Sequence, residues 1–191
     1  MDRVRLSLAL LLVVLVAASL ASLSCSNAKQ ESTTAAPAAA DPVERGRYLT
    51  TIMSCVDCHT PGTFYGAPDT TRKLSGSDLG WVGPWGVVHA RNLTPDSTGI
   101  GAWTEEQIIH TLRTGNTPDG RQLAPIMPWM NFTQLNDDDA KAIVAYLKSL
   151  PPIHHVNLPV IPPGRKPTGN NILFPPPPAW DAQNLPAPPT K

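Results

Sequence analysis

Two cysteines and a histidine stand together in Cys55-Val56-Asp57-Cys58-His59. This spacing is the attachment signature of a c-type haem, and the reason is geometric. Thiols three residues apart can reach the two vinyl groups on one edge of a porphyrin and form thioethers. The adjoining histidine then brings an imidazole nitrogen beneath the iron. Two other chemistries use C-x-x-C. A thioredoxin-like redox pair needs a βαβ setting, and no such pattern surrounds residue 55. A structural zinc module needs two further ligands. His89 and His110 are available, but the chain has no second C-x-x-C and no H-x-x-H.

Haem iron that carries electrons takes six ligands, with Met or His opposite the proximal histidine. The candidates are Met53, Met127, Met130, His89 and His110. Met53 stands two residues before Cys55 and is not expected to cross to the opposite face. His110 falls mid-helix beside Leu112 and Arg113, a surface or packing position. Met127 and Met130 lie in Leu123-Ala124-Pro125-Ile126-Met127-Pro128-Trp129-Met130. Pro128 biases Met127 towards an extended backbone, and a proline-stiffened loop loses less entropy on ordering. Met127 is therefore preferred, with Met130 close to the haem edge. Arg91, Trp81 and Trp85 carry N–H groups suited to haem propionates; a solvated Arg91 and tryptophans that only pack are the plainer roles. The second ring nitrogen of His59 needs an acceptor, usually a carbonyl, and Pro61 and Pro68 are within reach. His154-His155 reads as a solvated pair.

Three helices can position these groups. Asp41 is a good N-cap, followed by Pro42 and Glu44, with Tyr48, Leu49, Ile52 and Met53 forming one apolar face. Thr104 and Gln107 form a capping box before Ile108, Ile109 and Leu112, and Gly115 ends that helix. Asn136 and Asp137–Asp139 open a third, with Ile143, Tyr146, Leu147 and Leu150 at helical spacing, Lys148 in the last turn and Pro151-Pro152 as its stop. Three such helices bury little alone. Residues 58–103 are long and show no strong periodicity, so a bulky apolar group is expected to complete the core.

The remaining composition narrows the function. The chain has 191 residues with 15 basic and 15 acidic groups, which excludes a strongly basic nucleic-acid binder. Three cysteines are too few for a disulfide scaffold. Residues 1–24 read as a signal peptide: Arg3 and Arg5, then an uncharged apolar run with small residues near its end. An uncleaved transmembrane helix is the alternative. Cys25 follows in Ser22-Leu23-Ser24-Cys25 and resembles a lipoprotein lipidation site, although Ser22 stands where a leucine is usual. Residues 25–40 read as a flexible tether. Residues 151–191 hold 13 of the 22 prolines and read as an extended tail, either a linker or a wrap around the domain.

Residues 43–152 resemble a bacterial class I c-type cytochrome, and more narrowly the cytochrome domains found with membrane-bound alcohol, aldehyde and gluconate dehydrogenases. The resemblance rests on Glu44-Arg45-Gly46-Arg47-Tyr48-Leu49 with Cys55–His59, on Ala90-Arg91-Asn92-Leu93-Thr94-Pro95-Asp96 with Thr98–Thr104, on Gly120-Arg121 with Met127-Pro128-Trp129, and on Ala145–Pro151. It implies an all-α domain over residues 41–150 wrapped around one covalent haem c, with the iron held by His59 and Met127. It gives Gly46 a role, where the first and last helices cross against an aromatic such as Tyr146. The dehydrogenase subunits carry several haem motifs in tandem, and this chain carries one. The expectation is thus an exported, single-haem electron carrier rather than an enzyme. It would sit on the periplasmic side of the bacterial inner membrane, held by a lipid anchor or an N-terminal helix. Its partners would be a dehydrogenase, a quinol-oxidising complex or a terminal oxidase. A haem enzyme or gas sensor with an open sixth position is the alternative, and ligation by Met127 separates the two.

Overall fold

In the computed structural model, which describes residues 41–174, Asp41 opens the first helix as its side chain demands. Its carboxylate accepts the Val43 N–H at 3.0 Å, and α1 runs over Pro42–Ile52. The signal, lipidation and tether readings, Cys25 included, lie outside the described residues, as does the end of the tail. None of the described helices is long and apolar enough to cross a membrane.

The buried face of α1 is Gly46, Leu49 and Thr50. Tyr48 and Ile52, expected inside with Leu49, are instead 51% and 57% exposed. The cause is the crossing with the last helix, α5 (Asp137–Ser149). A Cβ at position 46 would fall 2.6 Å from the carbonyl carbon of Ala142 and 2.7 Å from Cβ of Tyr146. The two backbones therefore touch only because residue 46 is glycine, and that contact turns the packed stripe of α1 onto 46, 49 and 50. Across the same crossing Arg45 Nε meets Asp139 at 2.8 Å.

The other caps form as read. Thr104 and Gln107 make a reciprocal capping box on α3 (Glu105–Thr114), and Gly115 ends it at φ 72°. Asn136 caps α5, accepting the Asp139 N–H at 2.8 Å, and Ile143, Tyr146 and Leu147 are buried. Lys148 does more than complement a helix end. Its ammonium donates to the carbonyls of Ile100 (2.8 Å), Trp103 (2.8 Å) and Gly101 (3.2 Å), pinning the loop that leads into α3. Two short helices complete the set among the described residues: α2 (Cys55–His59) and α4 (Trp129–Phe132).

A small sheet departs from the all-α expectation. β1 (Gly80–Gly83) and β2 (Gly86–His89) form an antiparallel hairpin, with Trp81 opposite Val88 and Val82 opposite Val87. β3 (Asn171–Leu173) adds to β1 in parallel, giving the order β2-β1-β3. Gly86, at φ 89°, takes the left-handed backbone that the tight turn needs. The third strand comes from the proline-rich tail. Of the two readings of that tail, the described part follows the wrap. The backbone of Ile153 bonds Thr94 Oγ1 (3.1 Å) and Asn92 Nδ2 (2.8 Å). The His155 N–H bonds Thr98 Oγ1 (3.1 Å). Val87 and Ile161 exchange backbone hydrogen bonds at 2.8 and 3.0 Å.

The apolar core holds Leu49, Leu74, Ile100, Ile108, Ile143 and Leu147. Several of these side chains also form one wall of a cavity.

Candidate functional site

α1 does not run straight into the cysteine motif. Ser54 breaks the path at φ 58°, and α2 restarts at Cys55. Ser54 and Leu74 are the two non-glycine residues with positive φ among the described residues. Such a conformation costs about 1–3 kcal/mol and persists where surroundings hold it. Leu74 is held by its N–H to Thr60 Oγ1 at 3.1 Å. On α2, Cys55, Cys58 and His59 sit at i, i+3 and i+4 and thus share one helix face. All three line a cavity of about 620 Å³, within the range of cofactor pockets, about 300–1,000 Å³.

His59 is buried, and its Nδ1 lies 2.7 Å from the carbonyl oxygen of Arg91. A carbonyl only accepts, so Nδ1 carries the proton and Nε2 keeps its lone pair. Burial pushes His59 below its ordinary range, opposed by that same hydrogen bond. The imidazole therefore stays neutral and able to ligate. The acceptor is neither Pro61 nor Pro68. It is a backbone atom of a residue singled out for its side chain.

Both described cysteines are free thiols. Burial pushes the Cys55 thiol up to about 11. Cys58 is raised too, by burial first and then by the Asp57 carboxylate. Both are protonated at neutral pH. They are thus not reactive thiolates of the redox-sensor kind.

The distal candidates separate. Met127 lines the cavity, on a loop stiffened by Pro125 and Pro128, whereas Met130 is 45% exposed and does not line it. His110 is exposed on α3. Met53 lines the cavity beside Ser54 and Cys55. His89 also lines it, buried, with an unpartnered Nδ1. It stands two residues before the carbonyl that holds His59, on the same flank. Burial lowers its pKa, opposed by Asp78.

Arg91 lines one edge of the cavity with Arg121. Its guanidinium is half-buried, and burial and then the Arg121 charge lower its pKa. Arg121 is paired with Asp119 at 2.7 Å. Trp81 is buried against the cavity with Phe64 edge-on at 4.9 Å. Trp85 does not line it, and its Nε1–H donates to Trp81 O at 3.0 Å. Among the described residues no three His, Cys, Asp or Glu side chains gather as a metal cluster. The zinc alternative has no ligand set there.

The family model for cytochrome c matches residues 43–151, more than half of the chain. The chain belongs to the cytochrome c family. Membership implies a covalently bound haem c, and the residues fit one. The two thiols and the free Nε2 of His59 share a helix face beside a largely apolar cavity, as a cytochrome c requires. Three similar proteins are named for dehydrogenases. A nicotinate dehydrogenase subunit of Pseudomonas putida is 35% identical over 112 residues, which is 58% of this chain and 9% of the relative. The fructose dehydrogenase cytochrome subunit of Gluconobacter japonicus is 37% identical over 114 residues, 58% of this chain and 22% of the relative. The cytochrome c subunit of the quinone alcohol dehydrogenase of Gluconobacter oxydans is 34% identical over 105 residues, 54% of this chain and 20% of the relative. The chain thus matches less than a quarter of the length of these curated relatives.

Proposed function

We propose that the protein is a single-haem, one-electron carrier outside the cytoplasm. The observation that carries the reading is that Cys55, Cys58, His59 and Met127 line one cavity while His59 Nδ1 is committed to the Arg91 carbonyl. Bound there, the haem supplies an iron that changes charge by one. Cys55 and Cys58 would hold the haem covalently through their thiols, next to α2. The neutral His59 would offer Nε2 as an iron ligand, with the Arg91 carbonyl fixing its ring plane and raising its basicity. The thioether of Met127 would supply the second protein ligand, a donor that favours the reduced state relative to a second histidine. Ile100, Leu112, Phe132 and Leu147 exclude water from the same space. Arg91 offers its half-buried charge to a propionate.

The redox partner fits a dehydrogenase, as the names of the relatives suggest, with a quinol-oxidising complex or terminal oxidase on the other side of the exchange. Residues 1–24 direct export to the periplasmic side of the inner membrane, and Cys25 carries a lipid anchor. Labelled fatty acid should enter the wild type and not Cys25→Ser, which becomes soluble; a Cys25→Ser protein that stays membrane-bound points to an uncleaved helix.

The sixth ligand tests the carrier reading. Ferric haem with a thioether ligand shows a weak sulfur-to-iron band at the red end of the visible spectrum. Met127→Ala should remove the band, lower the potential and admit carbon monoxide to the ferrous iron. Met130→Ala should leave the band in place. If neither substitution matters and the wild-type ferrous protein already binds carbon monoxide, the sixth position is open and the protein is a haem enzyme or gas sensor.

A further inference from the structure

The carbonyl that orients His59 belongs to an irregular segment whose far side is anchored by the buried Asn92 side chain, bonded to Thr94, Thr98 and the Ile153 carbonyl. The backbone groups flanking Arg91 on both sides are bonded by one side chain of the tail. Asn157 Oδ1 accepts the Asn92 N–H at 2.9 Å, and Asn157 Nδ2 donates to the Ala90 carbonyl at 3.0 Å. The two bonds bracket Arg91. Ala90 O also takes the Ser77 N–H at 3.0 Å, and the Gly76 N–H donates to the His59 carbonyl at 2.8 Å. A Cβ on Gly76 would lie 2.6 Å from Asn157 Nδ2. Gly76, at φ 95°, therefore leaves the space that the amide occupies. A closed ring results: the His59 backbone to Gly76, Gly76 against the Asn157 amide, Asn157 to Ala90 and Asn92, and Arg91 back to the His59 imidazole.

We infer that Asn157 is a positioning residue for the proximal histidine, acting from the tail through the Arg91 carbonyl on the His59 Nδ1–H. The inference rests on the reading of His59 as an iron ligand. The amide is suited to the task because it presents one acceptor and one donor in a plane, matching the N–H of residue 92 and the C=O of residue 90. No aliphatic residue satisfies both. Ile153, His155 and Asn157 are half-buried while His154, Val156 and Leu158 are exposed. This alternation of an extended segment turns the Asn157 amide inward.

A weaker bond from Nδ1–H makes the imidazole a poorer donor to iron and destabilises the ferric state. Asn157→Ala in the haem-loaded full chain should therefore raise the midpoint potential. It should also speed hydrogen exchange at the His59 Nδ1–H about tenfold, the loss expected when a neutral hydrogen-bond bracket is removed. Val156→Ala serves as the control, because Val156 lines the cavity and is 70% exposed but makes no bond to residues 90–92. It admits solvent without freeing the Arg91 carbonyl, and its potential should not rise. Should Asn157→Ala fail to fold, Asn157→Leu carries the same test: it keeps the bulk without adding charge, loses both the acceptor for Asn92 and the donor to Ala90, and should move both readouts the same way. Unchanged exchange and potential in the variant overturn the inference. So does a fall in potential with unchanged exchange, which would make Asn157 a cover over the cavity and no more. A wild-type protein without a haem-shifted His59 Nδ1–H signal would instead sink the ligand assignment on which the inference stands.

Discussion

Replacing Gly46 by alanine should be among the more damaging single-methyl additions in this domain. Glycine-to-alanine in a helix interior ordinarily stabilises, by about 0.8–1 kcal/mol. Position 46 reverses the sign. The new Cβ would meet the Ala142 carbonyl carbon at 2.6 Å and Tyr146 Cβ at 2.7 Å, where ordinary contact begins at 3.4 Å. The obstacles are backbone and a Cβ, neither of which can rotate away, so α1 and α5 must separate by most of an ångström. Overpacking of this kind costs about 1–3 kcal/mol and occasionally more. With the upper part of that range and the propensity gain set against each other, the net loss is about 2 kcal/mol. For a domain of this size that is a drop in melting temperature of roughly 6–8 °C. Thermal melts followed by far-ultraviolet circular dichroism read it directly. Gly120→Ala is the contrast: the left-handed backbone at φ 80° resists a side chain, but nothing lies within 4 Å of the new methyl. Its cost should stay near 1 kcal/mol, roughly the left-handed penalty alone. A Gly46→Ala protein as stable as wild type would refute the close-crossing argument, and with it the account of why Tyr48 and Ile52 face solvent.

Lys148→Met should lower the urea-unfolding free energy by about 3 kcal/mol, because charge-assisted bonds to three carbonyls disappear; a change under about 1 kcal/mol would mean that the loop before α3 holds without it. Asp119 is held near 2 by hydrogen bonds from Arg121 and then Thr117. Its unfolded value is 3.8, so the depressed carboxylate stabilises fully above about pH 4 and loses that contribution as pH falls towards about 2. The urea midpoint of Asp119→Asn should accordingly fall less steeply over that interval than that of wild type. Cys58→Ser should accumulate little covalent haemoprotein, measured as pigment surviving acid-acetone extraction; haem that extracts freely from the wild type would end the thioether assignment.

How much of this is legible in the chain depends on where each instruction is written. The cysteine motif and the helix caps are local, each set by side chains within about five residues of one another, so Asp41, Thr104, Gln107, Gly115 and Asn136 all act as read. The core stripe of α1 departs from its pattern because an exposed and a buried apolar residue look alike, and the deciding residue is the glycine before them. The hairpin is hidden because Gly80, Gly83, Pro84 and Gly86 mask two short strands, and the strand that completes the sheet lies in a tail whose prolines argue against one. The carbonyl on His59 is out of reach for a different reason. Every residue has a carbonyl, so its type carries no sign of the role; Arg91 stands out for its guanidinium, whereas the bond to His59 comes from its backbone. Asn157 has no signature at all, because its partners are backbone atoms 65 and 67 residues away.

That separation bears on how the chain folds. The His59–Arg91 contact closes a loop of 32 residues, the Asn157 bracket spans 65 and 67, and Arg45 reaches Asp139 across 94. Distant pairings must meet the entropy of loop closure before they return any energy, and chains dominated by them fold slowly. The short helix with its two thiols needs only local contacts, whereas the tail can dock only on a hairpin and loop that already exist. Topology thus ties the two parts of the site to different ranges of the chain: the turn that carries the thiols is set by contacts within α2 and its flanks, whereas the flank of the cavity covered by the tail depends on pairings more than 60 residues apart.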